Sequence, residues 1–413
     1  MTETQNDILP ESELYDEYDE LKPGWRPLLD EILRTCSDPE ADDHVEYLIA
    51  SLIKEYLLSN DDDDDAAVFA RRFDEFYDTV YRPKFDGYKR SKKGWTGYLN
   101  IFFDLLFQTA TEIQYDDPKQ DKMIELLVEL GKLPPRHAKI FEKFEWFDTQ
   151  VWSSYPLMRG ALYGICSGGI SINCFGDLTN PGNLYALQRK SAVYVNYHAF
   201  RARCMAAGLD AKEEGRFQSE ISYISVGLDP GVLDYKAPEL DCQVMAAAQY
   251  ILVAGDVIFA ECIKKELPIS RYSWKGWKHT SGPSLWRQWC AKLTEIADTL
   301  ERGEDPGFKI LEGNREALTD MTIKAKNKMV ALEREFPSQS ESTSAQGNRS
   351  VEAVPPAVEA APVAQDSQAS PVPNSGTESP QSGNPDTNSA PAPLDLINMC
   401  STLVRDLVKT LWK

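Results

Sequence analysis

Residues of a type and spacing that could do chemistry are few in this chain. His198 sits in a nearly all-apolar stretch with Tyr194, Tyr197 and Cys204 at helical offsets. An imidazole there could act as base, acid or metal ligand, but with only four His in the 413 residues a hydrogen-bonded core histidine is the first expectation. Asp148, Asp177, Glu220 and Asp256 join His198 as polar residues in apolar surroundings, the set from which an enzyme site would have to be drawn. Buried structural carboxylates with helix-end partners explain the same set. No catalytic residue is assigned from it.

Metal and phosphate signatures fail on inspection. Asn60-Asp-Asp-Asp-Asp-Asp65 invites calcium, yet a loop beginning at Asp61 has Ala66 where glycine is required and Arg72 where the bidentate glutamate belongs. An acidic cap on a helix starting at Ala66 is the simpler reading. Cys166 and Cys174 lack a second ligand pair at zinc spacing, and Gly168-Gly169 has no following Gly-Lys-Ser/Thr. No Gly-x-Ser-x-Gly elbow occurs. The sequence therefore implies no cofactor and no metal.

Basic residues gather between Arg82 and Lys93, as Lys84, Lys89, Arg90, Lys92 and Lys93, interleaved with Phe85 and Tyr88 and followed by Trp95. A second stretch holds Lys264, Lys265, Arg271, Lys275 and Lys278 with Trp274 and Trp277. Cations among aromatic rings suit single-stranded nucleic acid or an acidic partner. A net charge of −21 argues the other way, since counterion release rewards positive charge. The basic residues read first as solvated loops offsetting nearby aspartates, and nucleic acid is not an expected partner.

The elements that would position any of these residues are helical. Apolar spacing of three and four predicts helices starting near Arg26, His44, Ala66, Trp95, Lys119, Glu145, Asn183, Gln218, Asp241, Ser284 and Arg315. Asn180-Pro181 and Gly282-Pro283 mark two of those starts. Trp286, Trp289, Leu293, Ile296 and Leu300 fall on one face and predict a core stripe rather than a ligand platform. Leu184–Ala207 and Val244–Ile263 are apolar nearly all round, which places them mid-bundle, with Gly255 admitting a neighbouring backbone. The Gly-rich stretch Tyr163–Gly176 reads as an irregular connection, with a strand no longer than a two-residue bridge. The expected fold is all-α, an irregular multi-helix bundle over residues 24–336.

The alanine-rich run Ala246–Phe259, with its Ala254-Gly255 step, and the later Leu285-Trp-Arg-Gln-Trp-Cys-Ala-Lys-Leu293 resemble a family of fungal proteins known only as a domain of unknown function, number 3632. The resemblance implies an all-helical fold and a filamentous-fungal origin. It implies no activity and no site residues.

Residues 1–23 are acidic and polar, without the apolar run of a signal peptide, and no apolar run reaches the roughly 20 residues of a spanning helix. The eight scattered Cys, with no CxxC pair, read as reduced buried thiols, so a cytoplasmic or nuclear location is expected. Residues 337–393 are Pro/Ser-rich and predict disorder, and residues 394–413 predict an amphipathic helix. Leu396, Ile397, Leu403, Leu407 and Leu411 form its apolar face, with Trp412 beside it as a further contact residue. A flexible coil of 57 residues, Pro337 to Pro393, reaches about 40 Å. The chain thus reads as a non-enzymatic interaction module whose terminal helix docks on its own bundle, on a protein partner or on a membrane surface, the last disfavoured because its polar face carries few cations. The alternative is an enzyme whose site is built inside the bundle without a local motif. Oligomeric state is open at this level.

Overall fold

A computed structural model of the chain describes residues 24–59, 65–85, 94–142, 145–168, 181–209, 218–228, 241–263, 282–311 and 313–335. The helices in order are α1 (Trp25–Thr35), α2 (His44–Leu58) and α3 (Asp65–Phe76), the last running through a π turn, Tyr77–Tyr81, into one more turn, Arg82–Phe85. Next come α4 (Gly94–Thr111), α5 (Lys119–Lys132), the strands β1 (His137–Glu142) and β2 (Glu145–Gln150), and α6 (Met158–Gly168). The remainder is α7 (Pro181–Ala206), α8 (Gln218–Leu228), α9 (Asp241–Ile258, extended by a π turn Phe259–Ile263), α10 (Pro283–Glu301) and α11 (Arg315–Glu335).

Two helices act as hubs. Most side chains of α4 from Trp95 to Ala110 are buried, all but the half-buried stripe of Asn100, Ile101, Asp104 and Gln108, and it packs on α1, α2, α6, α7 and β1. All ten residues from Asp241 to Tyr250 of α9 are buried, and it packs on α7, α8 and α11. A helix apolar over most of its circumference belongs in the middle. α7 joins the hubs, with Tyr194 to Phe200 buried without interruption. Its Asn196 Nδ2 donates to the Thr111 carbonyl at 2.9 Å, and Gln120 Nε2 donates to the Asn196 and Ile113 carbonyls at 3.2 and 2.9 Å. The bonds to Thr111 and Ile113 satisfy open carbonyls at the end of α4, which burial would otherwise leave costly, and the bond to Asn196 ties that end to α7.

α10 follows its sequence closely. Gly282 is extended, Pro283 opens the helix, and Leu285, Trp286, Trp289, Leu293, Ile296, Ala297 and Leu300 are its buried stripe. Trp286 and Trp289 are core residues, their rings 6.4 Å apart.

Three expectations are corrected. The segment at Glu145 is a strand, not a helix, so the sheet exceeds a two-residue bridge and lies outside the Gly-rich stretch. Pro134-Pro135 ends α5 with extended backbone, and Ala138 and Ile140 alternate in β1, a period too short to outweigh the adjacent Trp146-Phe147 pair when read alone. Second, Met158–Gly168 is helical, so Tyr163–Gly168 of the expected irregular connection is helix; its remainder, residues 169–176, lies outside the described residues. Third, the close helix approach is at Gly227, not Gly255. A Cβ on Gly227 would collide with the Gln243 carbonyl oxygen and lie 2.8 Å from Ala247 Cβ, whereas at Gly255 it would meet only the Lys328 and Leu332 side chains at 3.3 and 3.4 Å. Residues 337–393 and 394–413, with the terminal contact residues Leu396, Ile397, Leu403, Leu407, Leu411 and Trp412, lie outside the described residues.

Candidate functional site

Among the described residues, a cluster of buried polar groups forms where α7, α8 and α9 meet. Tyr194, Tyr197, His198 and Arg201 fall three or four apart on α7 and so share a face. His198 is wholly buried, and its Nδ1 lies 3.0 Å from the Tyr250 hydroxyl of α9. The rings of Tyr194, Tyr223 and Tyr197 surround the imidazole at centroid distances of 4.2, 4.5 and 5.0 Å. One turn further, Arg201 pairs with Glu220 of α8, both buried, and its Nη1 donates to the Tyr197 hydroxyl at 3.2 Å. The guanidinium also lies over the Tyr197 and Tyr223 rings, 5.7 and 5.6 Å from their centroids.

Electrostatics fix the protonation states. Burial, with the Arg201 charge added, holds His198 well below its usual range, so the imidazole is neutral. Burial drives the Tyr250 phenol well above its ordinary value, so it remains a hydroxyl that can donate to Nδ1. The ring proton then sits on Nε2, which has no hydrogen-bond partner among the described residues. Glu220 and Arg201 answer each other's charge, which is the condition under which ions tolerate burial. Apart from His198 Nε2, the hydrogen-bonding groups of His198, Arg201 and Glu220 named here are turned onto one another.

Of the five oddities read from the sequence, His198 and Glu220 come together here. Asp148 is exposed on β2 and Asp256 is exposed on α9, 2.5 Å from Lys328 Nζ; Asp177 lies outside the described residues. Arg201, Tyr250 and Tyr223 were not singled out. A lone arginine three residues after a histidine in an apolar helix was the available signal, because a buried cation demands an acid. Asp241, also missed, accepts from the amides of Cys242 and Leu311 at 2.7 and 2.8 Å and pins the approach to α11 onto the start of α9.

Of the basic stretch, Lys84 donates to the Pro39 carbonyl at 3.3 Å and to that of Ala41, so it staples a loop. Lys89, Arg90, Lys92 and Lys93, and the whole second stretch, lie outside the described residues. No cluster of three or more His, Cys, Asp or Glu able to hold a metal occurs among the described residues, and none of their helices is long and apolar enough to cross a membrane.

A second feature is the β1–β2 hairpin. Its register pairs Phe141 with Trp146, Ile140 with Phe147 and Lys139 with Asp148. Ile140 is buried and the Phe141 amide donates to Thr96 Oγ1 of α4 at 2.9 Å, so β1 lies on the bundle. Arg136, just before β1, bonds Asp78 at 2.7 Å and Asp74 at 3.1 Å and stands over the Trp95 ring. Trp152, just after β2, donates from Nε1 to Asp74 at 2.8 Å. The base is therefore clamped by two charges and an aromatic stack, with Tyr77 3.7 Å from Trp95. Beyond this clamp, Trp146 and Phe147 remain 44% and 43% exposed, the largest side chains so placed among the described residues.

Residues 103–293, from within α4 to within α10, match the family model described as protein of unknown function (DUF3632). The chain carries a DUF3632 domain. That domain holds the hairpin, the tyrosine–histidine cluster and both the alanine-rich and Trp-x-x-Trp helices, and it is narrower than the helical part of the chain, leaving α1–α3 and α11 outside. Comparisons with curated proteins and with solved structures give no match.

Proposed function

We propose that the protein is a non-enzymatic helical interaction module that acts through surface contacts, with its terminal helix, residues 394–413, as a tethered docking element. The observation that carries this reading is the hairpin: a rigidly clamped ribbon holding Trp146 and Phe147 in solvent. Exposed aromatic side chains on a fixed support are what a binding anchor requires, since little entropy is lost when they dock. The buried thiols Cys36, Cys204 and Cys242 fit a reducing compartment, the cytoplasm or nucleus.

The test is recovery of bound proteins from cells by three forms of the chain. Trp146→Ser with Phe147→Ser, and separately Leu403→Asp with Leu407→Asp, should each remove partners that the parent chain recovers. Unchanged recovery in both would refute the module.

A second reading, an enzyme with its site inside the bundle, draws on the buried His198 Nε2 beside the Arg201–Glu220 pair. A small molecule that raises the melting temperature of the parent chain but not of a His198→Gln variant would favour it.

A further inference from the structure

Among the described residues, the hairpin has one edge in use and one edge without a partner. The Val151 amide bonds the Arg136 carbonyl at 2.9 Å, which fixes the phase of the ladder. Pairs 138/149 and 140/147 exchange hydrogen bonds, and pairs 139/148 and 141/146 point their amides and carbonyls outward. On β1 the outward Phe141 amide is taken by Thr96. On β2 the outward groups are those of Trp146, Asp148 and Gln150, and they make no hydrogen bond to any described residue. An unpaired edge beside two exposed aromatic rings is a template for another strand.

Resting on the reading of the protein as an interaction module, we infer that the open edge of β2 receives an extended segment of a partner protein in which basic and apolar residues alternate. The backbone of that segment bonds the amides and carbonyls of Trp146, Asp148 and Gln150. Alternation follows because successive side chains of an added strand face opposite sides. On one side the segment meets Phe147, which asks for an apolar residue. On the other it meets Trp146 and Asp148, a ring face and a carboxylate that together hold a lysine or arginine by cation–π contact and ion pairing. Lys139 is directly opposite Asp148, but on the inner strand, so the outer side of that carboxylate stays open. Charge selects a foreign segment over a second copy: two chains of −21 repel, and a second β2 would bring another Asp148 and no cation among its described side chains.

The experiment uses the full chain and labelled synthetic peptides of about eight residues, a usual strand length. One alternates valine with lysine, one alternates valine with glutamate, and one has the lysine composition with a central proline. The valine–lysine peptide should bind at least about tenfold more tightly than the other two, the proline form testing for mere attraction to an acidic protein. Asp148→Pro, which removes an outward amide without touching the ladder to β1, and Trp146→Ala should each weaken that binding by about tenfold or more. Asp148→Lys should shift preference toward the glutamate peptide.

Equal binding of the lysine and proline peptides, or binding indifferent to Asp148→Pro and Trp146→Ala, would overturn the inference. Self-association of the parent chain that Asp148→Pro abolishes would overturn it too, in favour of a second copy. Should the peptides fail while Trp146→Ser with Phe147→Ser still loses partners in cells, the extended basic segment is wrong and the interaction module stands.

Discussion

Two aromatic regions of this molecule, the hairpin and the His198 cluster that begins one helix later, meet opposite fates. Around His198 four tyrosines, an arginine and a glutamate are gathered in the packing of α7, α8 and α9, with Nδ1 of the imidazole on the Tyr250 hydroxyl and Arg201 on Glu220. On the hairpin, Trp146 and Phe147 stand in solvent above a base held by Arg136 and Trp152. The first region has the residue types of an active site and the geometry of a core. The second has unremarkable residue types and the geometry of a contact surface. Residue type alone does not separate the two regions; which polar and apolar groups remain exposed after folding does.

The largest expected effect breaks the first region. Glu220→Ala strands the buried Arg201 charge and should cost about 3–5 kcal/mol, comparable to the cavity left by Trp289→Ala. Equilibrium unfolding in urea measures both. A loss below about 1 kcal/mol for Glu220→Ala would mean that water reaches the pair. Next comes Gly227→Ala, where the new methyl meets the Gln243 carbonyl and should cost about 1–3 kcal/mol by forcing α8 off α9; the same change at Gly255 meets only movable side chains and should cost less.

Acidity sharpens the comparison further. His198 is held neutral in the fold, so the unfolded chain takes up the proton first, and stability should fall as pH drops below about 6.5, by about 1.4 kcal/mol per pH unit. His198→Leu should flatten that fall in melts recorded between about pH 7 and pH 5. Asp104 of α4 runs the opposite way. Burial pushes its carboxyl up to about 6, so the stability tied to its protonated form is complete below the ordinary aspartate range and lost as pH rises through about 6. Asp104→Asn should accordingly raise the melting temperature at about pH 8 and give no gain at about pH 4. The smallest effect belongs to the second region: Trp146→Ala should change stability by no more than about 0.5 kcal/mol, because the ring is already half in water.

The helices were legible because their signals are local. Gly282-Pro283 starts α10, and the spacing from Leu285 to Leu300 states its buried face outright. The hairpin was not, because a six-residue strand supplies few periods of alternation and its stability comes from Arg136, Asp74, Asp78 and Trp152, residues spread over three segments. His198 was legible as a core histidine, and its setting bears that out. Its partners were not, since Tyr250 lies 52 positions away and Glu220 meets Arg201 only once α8 folds back. Gly255 shows the limit of reading a glycine for close approach: the step that needs no side chain is at Gly227, which sequence spacing does not distinguish.

The most direct measurement sets the two regions side by side: melting temperature and valine–lysine peptide binding, recorded on the full chain carrying Glu220→Gln or Trp146→Ala. The expected result is a double dissociation. Glu220→Gln should lower the melting temperature, by roughly 2–4 °C per kcal/mol lost, and keep its peptide affinity while folded. Trp146→Ala should keep its melting temperature and lose about tenfold or more in affinity. A Glu220→Gln chain that melts normally but no longer binds, with Trp146→Ala indistinguishable from the parent, would place the working site in the buried cluster and contradict the division of roles drawn here.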